Sequence, residues 1–314
     1  MNNKISTRVA YGDALCEIGA DEDIVVFDAD LSICTMTCGF AEKYPERFFN
    51  SGIAEANMTG MSAGMAATGK TVFCNSFAMF SAGRAYDQVR NSICYPHLNV
   101  KVVGTHAGLS VGEDGATHQC VEDLSLMRTI PGMTVVCPCD ANETKAAVKA
   151  IAAYKGPCYL RLGRAAVENV TDSVPGYSFK LGKGSLLKDG SDVTVIATGL
   201  MVQVALEAEK KLEQLGINAR IIDMHTIKPI DRDIIIKAAR ETGAIVTAEE
   251  HNIIGGLGAA VSETVCESYP VPVVKLGVND VFGHSGTVEA LMEKYGLTSD
   301  NVVEKVKTAV SLKK

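Results

Sequence analysis

Tryptophan is absent from the 314 residues, proline occurs nine times, and aromatic side chains of all kinds amount to 6%. A surface that stacks on nucleic-acid bases needs rings interleaved with clustered cations. Lys and Arg number 30 against 37 Asp and Glu, a formal charge of −7 at pH 7. The positive stripe that neutralises phosphates is therefore missing in bulk, and nucleic acid is not an expected partner. No uncharged apolar stretch reaches the ~20 residues of a membrane span. The longest small-residue tract, 56–83, is interrupted by Lys70, and the start, MNNKISTRVA, has no apolar signal-peptide core. No membrane association is expected, and the expected location is the cytoplasm.

Cysteine is plentiful: ten residues, scattered through long apolar segments. A disulfide framework belongs to short secreted chains, so these read as reduced and mostly buried thiols. Cys137-Pro138-Cys139 and the Cys34/Cys38 pair lack a second Cys/His pair at finger-like spacing, and no bound metal is expected on this chain. At 47% hydrophobic, the chain has apolar surface for two cores.

Apolar, β-branched runs at Ile24–Phe27, Thr71–Cys74, Val100–Val103, Thr134–Cys137 and Cys158–Leu160 read as buried strands. Between them, Thr7–Ile18, Glu55–Ala67, Ala78–Ile93, Val121–Arg128 and Asn142–Tyr154 carry helical spacing. This alternation predicts an α/β fold with a mostly parallel, doubly wound sheet, whose ligands bind beyond the carboxyl ends of the strands. Residues 168–191 are rich in Gly, Ser, Asp and Lys and read as a linker. The alternation then restarts, which predicts domains at 1–167 and 192–314. No G-x-G-x-x-G follows the first strand, so a nicotinamide-binding reading is weak.

Three segments stand out chemically. Ser51-Gly52-Ile53-Ala54-Glu55-Ala56-Asn57-Met58 puts one carboxylate at a helix start among small residues. A first-turn acid is favoured by the helix dipole, and that alone would make Glu55 a capping acid. Its apolar flanks would desolvate it, and a buried acid needs a specific partner. Phe77 and Phe80 follow a strand end at helical spacing, which suits either core packing or a stacking platform. The stretch 105–119, Thr-His-Ala-Gly-Leu-Ser-Val-Gly-Glu-Asp-Gly-Ala-Thr-His-Gln, is a Gly-rich loop after a strand with two His and two acids. It is either a plain surface loop or one that meets a ligand and moves protons near neutral pH.

SGIAEANM, RAYDQVR, GEDGATHQ-x-x-EDL, IPGM-x-V-x-x-P-x-D-x-NE and EEHNIIGGLG, in this order, resemble the transketolase family of thiamine-diphosphate enzymes over essentially the whole chain. The resemblance implies a pyrimidine-binding domain followed by a transketolase carboxyl-terminal domain, matching the carboxyl-terminal half of a full-length transketolase. It implies that Glu55 hydrogen-bonds N1′ of the cofactor aminopyrimidine and promotes formation of the thiazolium carbanion. It also implies that Phe77, with Phe80 beside it, stacks on the pyrimidine and that Asp30 lies near the thiazolium. By the same resemblance His106 and His118 surround the sugar, with His118 catalytic. It further implies that Asp114 reads hydroxyl configuration and that Arg8 and Arg164 grip the sugar phosphate. Two departures are Cys34, where transketolases often carry a phosphate-binding Ser, and Ala54 and Ala56 flanking Glu55. The Glu249-Glu250-His251 and Gly255–Gly258 segment has no assigned chemistry and reads as structural and interfacial.

Binding the diphosphate and its Mg²⁺ (or Ca²⁺) takes a Gly-Asp-Gly with a later Asn in this superfamily, and no Gly-Asp-Gly occurs here. The resemblance therefore implies a separate amino-terminal subunit carrying the diphosphate and metal site, and an assembly in which this chain also dimerises. The implied reaction is two-carbon ketol transfer from a ketose phosphate of the xylulose 5-phosphate type to an aldose phosphate. An unusual sugar phosphate such as apulose 4-phosphate, a 1-deoxyxylulose-5-phosphate synthase-like chain, and a 2-oxoacid dehydrogenase β-like subunit are the alternatives within the superfamily. A non-catalytic α/β interaction subunit is the alternative outside it.

Overall fold

The structure, a computed structural model, describes residues 4–313. A seven-stranded sheet is built from β2 (Ile24–Asp28), β3 (Phe48–Asn50), β4 (Thr71–Phe77), β5 (Val100–Thr105), β6 (Thr134–Val136), β7 (Cys158–Arg161) and β12 (Thr226–Lys228), in the order β12-β6-β7-β5-β4-β2-β3. All neighbours are parallel except β12 against β6. β2, β4, β5 and β7 are buried along their whole length, which is why their sequences read as largely apolar runs rather than alternating ones. After β2 the chain crosses outward to β3 and then returns to the other side for β4. The strand order reverses there, and the crevice beyond the carboxyl ends of β2 and β4 is where such sheets bind ligands.

A second sheet runs β14-β13-β10-β11-β9, comprising β9 (Ser185–Lys188), β10 (Val193–Ala197), β11 (Ala219–Asp223), β13 (Ile245–Asn252) and β14 (Val273–Val278). It is parallel apart from the edge strand β9. The fold is α/β with two mainly parallel sheets, as the alternation predicts. A short antiparallel pair, β1 (Ile5–Ser6) with β8 (Ala166–Val167), ties the chain start to the end of the first unit.

The structure departs from the expectations at specific points. Residues 168–191, expected as a linker, include the helical turn Thr171–Ser173 and strand β9. β12 belongs by sequence to the second unit and joins the first sheet. Ile196, Ile222, Met224 and Ile227 accordingly lie in the same buried cluster as Val72, Val102 and Val135. The expected helix Ala78–Ile93 is two wide π-turns, Met79–Arg84 and Val89–Cys94, around a single α-turn at Tyr86–Gln88. No helix among the described residues is long and apolar enough to cross a membrane. All ten cysteines are free thiols, six of them buried.

Candidate active site

Glu55 opens the helix Glu55–Ala67 and is 2% exposed. Burying a carboxylate is costly unless something answers its charge. The answer is Arg84, whose Nη1 lies 3.1 Å from one carboxylate oxygen and 3.0 Å from the other. Sequence reasoning does not single out Arg84. Its only signal is membership of the RAYDQVR segment, with nothing to indicate that a wide turn would aim it at Glu55.

An aromatic wall adjoins this pair. The Arg84 guanidinium sits over the Phe80 ring at 4.5 Å. Phe80 and Phe77 lie near-parallel with centroids 6.2 Å apart, and Phe77 stacks on His106 at 3.9 Å. His118 meets both phenyl rings edge-on, at 5.3 Å from Phe80 and 6.2 Å from Phe77. Phe77 is the last residue of β4 and His106 follows the last residue of β5, so two adjacent strand ends supply the wall. The structure thus brings Glu55, Phe77, Phe80, His106 and His118 into one chain of contacts.

His106 is buried, and its Nδ1 lies 3.0 Å from Thr105 Oγ1. Burial, then the positive charges of Arg8 and Arg164 and the neighbouring His118, push its pKa down to about 3. The ring is neutral at physiological pH and can donate or accept a hydrogen bond without bringing a charge.

Arg8 and Arg164 are drawn together by the β1–β8 clasp, reinforced where the Gly163 amide donates to Thr7 Oγ1 at 2.9 Å. Arg8 Nη1 donates to the Cys34 carbonyl at 2.7 Å, while its buried Nε has no protein partner among the described residues. Arg164 Nη1 donates to the Val111 carbonyl and to Glu113 Oε2, at 2.5 Å and 3.1 Å. Burial and the nearby Arg164 lower the Arg8 pKa. Two guanidiniums near enough to oppose one another, one with an unanswered donor, form an anion-receptive corner. Cys34 contributes its backbone carbonyl to that corner.

Asp30 and Asp114 lie apart from the contact chain. Asp30 is exposed after β2, with left-handed backbone at φ 64°, and accepts from Asn50 Nδ2 at 2.9 Å. The buried acid of that segment is Asp28, which no sequence signal distinguishes. It accepts from the Leu31 amide at 2.6 Å and from the hydroxyls of Thr35 and Thr37 at 2.7 and 2.9 Å. Burial nonetheless raises its pKa. Asp114 is exposed on the loop after β5.

That loop is braced from the second unit. Glu250 accepts the Ser110 amide at 2.5 Å and the Ser110 hydroxyl at 3.3 Å. Gly108, at φ 80°, makes this approach feasible, since a Cβ there would lie 2.4 Å from Glu250 Oε1. Gln119 Nε2 donates to the carbonyls of Gly112 and His284, at 3.1 and 2.9 Å. Glu249 accepts the Leu257 and Gly258 amides at 2.7 and 2.8 Å, capping the helix Leu257–Ser268. The Glu-Glu-His segment thus has structural work at the junction of the units.

Among the described residues, Cys139, Glu143 and Asp223 form the one group of metal-ligating side chains close enough to share an ion. The Cys139 amide donates to Glu143 at 2.7 Å, and Tyr177 donates its hydroxyl to the same carboxylate. Burial and the facing Glu143 raise the Asp223 pKa well above the ordinary carboxylate range. The group is remote in sequence from Glu55 and wholly buried, whereas Mg²⁺ usually keeps several waters.

Comparison with known proteins agrees with this layout. The family model for the transketolase pyrimidine-binding domain matches residues 3–169, and that for the transketolase C-terminal domain matches residues 182–302. A 6-deoxy-6-sulfo-D-fructose transketolase subunit from Clostridium sp. is 44% identical over 297 residues, covering 94% of this chain and 92% of that one. An apulose-4-phosphate transketolase subunit from Phocaeicola vulgatus is 42% identical over 302 residues, covering 96% of each. A solved split-gene transketolase, an inactive beta4 tetramer, superimposes with a TM-score of 0.91 at 53% identity, covering 99% of this chain and 100% of that one. The chain belongs to the transketolase family, whose pyrimidine-binding and carboxyl-terminal domains it spans.

Proposed function

We propose that this chain is the carboxyl-terminal (β) subunit of a two-chain transketolase, and that Glu55 holds the aminopyrimidine of thiamine diphosphate. The observation that carries the reading is a carboxylate sealed at a helix start beside a wall of stacked rings. A flat heterocycle with a ring nitrogen needs such a wall to lie on and one hydrogen-bonding acid at its edge. The cofactor, when bound, supplies the carbanion chemistry, and the protein supplies orientation and proton traffic. Glu55 holds the proton at N1′, and Phe77 and Phe80 fix the plane of the ring. His106, which is neutral, and His118 donate to or accept from sugar oxygens, with His118 moving a proton at the reacting carbonyl oxygen. Arg8 and Arg164 take the sugar phosphate. Asp30 faces the thiazolium side and Asp114 the C2 hydroxyl, both from exposed loops that a partner or substrate would cover.

The diphosphate and its Mg²⁺ or Ca²⁺ are assigned to an amino-terminal partner subunit, since the one candidate metal group among the described residues is buried and does not include Glu55 or its neighbours. Self-association is assigned to the exposed face of the helix Glu55–Ala67, where Met61 lies beside Gly60 and Gly64, with exposed Ile53 just before the helix. The working location is the cytoplasm. The donor is a ketose phosphate of the xylulose 5-phosphate type. The relative named for apulose 4-phosphate, at 42% identity across nearly the whole chain, favours an unusual sugar phosphate as the second reading.

The test is reconstitution. The purified chain alone should bind thiamine diphosphate weakly and transfer no ketol unit. Adding an amino-terminal transketolase subunit, Mg²⁺ and cofactor should produce cleavage of xylulose 5-phosphate or of apulose 4-phosphate, assayed side by side. Ketol transfer by this chain alone would refute the two-chain reading, and pyruvate decarboxylation without sugar cleavage would refute the substrate class.

A further inference from the structure

We infer that Arg84 is a positioning residue that acts through Glu55, fixing its carboxylate in the orientation in which it meets the cofactor ring. This rests on the reading of Glu55 given above and adds to it a residue and a mechanism of preorganisation.

Three features place Arg84 there. First, it answers a carboxylate that is 2% exposed, while its own side chain is 53% exposed. The pair is therefore anchored at the acid, and the arginine is the adjustable member. Second, a single nitrogen, Nη1, contacts both oxygens. A carboxylate offers four lone-pair directions over its two oxygens. One bridging donor uses the inner two and leaves the outer ones for a second partner, so Glu55 can keep Arg84 and still engage a ring nitrogen. Third, the guanidinium lies over Phe80, 4.5 Å from the ring centre, and Phe80 continues into Phe77 and His106. The arginine is thus held in register with the same wall that would orient the heterocycle.

The backbone is shaped for this contact. In the turn Met79–Arg84 the Ala85 amide reaches the Phe80 carbonyl at 3.2 Å, a five-residue spacing. An α-turn is one residue tighter, so removing the extra residue would swing Arg84 by about 100° around the axis, away from Phe80 and Glu55. Single π-turns inside helices recur at functional positions for this kind of re-aiming. Gly83 lies at the wide point, where a Cβ would come within 2.8 Å of the Met79 methyl.

A double-mutant cycle of Arg84→Met and Glu55→Gln, with Arg84→Lys as the conservative variant, tests the inference. The cycle is read in two ways that do not depend on sugar turnover. Urea midpoints of the isolated chain report the coupling between the two side chains. In the assembly with the amino-terminal subunit, exchange of the thiazolium C2 proton into deuterated water, followed by NMR after acid quench, reports how well Glu55 is deployed. Arg84→Met should slow exchange at least tenfold, Arg84→Lys should recover most of that loss, and Arg84→Met should cost nothing further once Glu55 is Gln. Exchange within twofold of wild type in Arg84→Met, an undiminished effect in the Glu55→Gln background, or tighter thiamine diphosphate binding by Arg84→Met would each overturn the role of Arg84. If Glu55→Gln itself leaves exchange unchanged, the assignment of Glu55 falls first and the inference with it.

Discussion

Glu250 accepts the Ser110 amide at 2.5 Å, so the loop bearing His106, Asp114 and His118 is held in place by a carboxylate from the other unit. Glu250→Ala leaves a buried N–H without a partner, a loss of about 1–3 kcal/mol. Urea unfolding should register that drop. In the reconstituted assembly the sugar KM should rise and kcat should fall, since the loosened loop carries both sugar-facing side chains and His118. An unaltered KM would mean the loop is fixed by other contacts.

Arg8 and Arg164 should contribute separately to phosphate binding. Hydrogen bonds to charged groups are worth about 1.5–3 kcal/mol each, roughly a ten- to hundredfold change in affinity. Arg8→Ala and Arg164→Ala are expected to raise the KM of a phosphorylated ketose on that scale and to leave a non-phosphorylated ketose almost unaffected. Equal losses on both sugars would remove the arginines from the phosphate.

The neutral His106 has a stability signature. Its pKa is 6.5 as an ordinary histidine and about 3 in the fold. Between these values the unfolded chain takes up a proton that the folded chain refuses. Its contribution is therefore complete above pH 6.5 and is lost as pH falls toward 3, with a slope approaching about 1.4 kcal/mol per pH unit. Unfolding curves for wild type and His106→Asn between about pH 4.5 and 7.5 should differ in slope by up to one proton. Parallel curves would show that His106 titrates normally.

Asp123 accepts from Arg161 Nε and from the Tyr159 hydroxyl, both at 2.8 Å, in a buried cluster behind the loop. Asp123→Ala strands a buried guanidinium and is expected to cost about 3–5 kcal/mol. The urea midpoint is the measurement, and a shift equivalent to less than about 1 kcal/mol would contradict it.

Much of the fold is legible in the sequence because burial on both faces writes strands as largely apolar runs. The interior strands at Ile24, Thr71, Val100 and Cys158 all stand where those runs stand. β3, β9 and β12 are not legible: three or four residues at a sheet edge leave no period, and their identity as strands depends on the neighbour they find. The closing helix Ser299–Ser311 does leave a signal, since Val302, Val303, Val306 and Ala309 mark its buried face at helical spacing. At the site, the resemblance selects residues by motif, and five of them meet as one chain of contacts. It has no means of selecting Arg84, whose contact depends on a turn one residue wider than a helix, or of preferring Asp28 over Asp30. Which of two neighbouring acids is buried depends on the folded loop, where three donors converge on Asp28.

Because Thr226–Lys228 completes the larger sheet at Thr134–Val136, the two halves are conjoined rather than merely strung in series. A fragment ending near residue 167 would bare the backbone of that inner edge and invite pairing with other copies. Chimeras that exchange carboxyl-terminal halves between relatives would have to carry this borrowed strand across with its neighbours, or accept a seam running through the sheet that bears the candidate crevice.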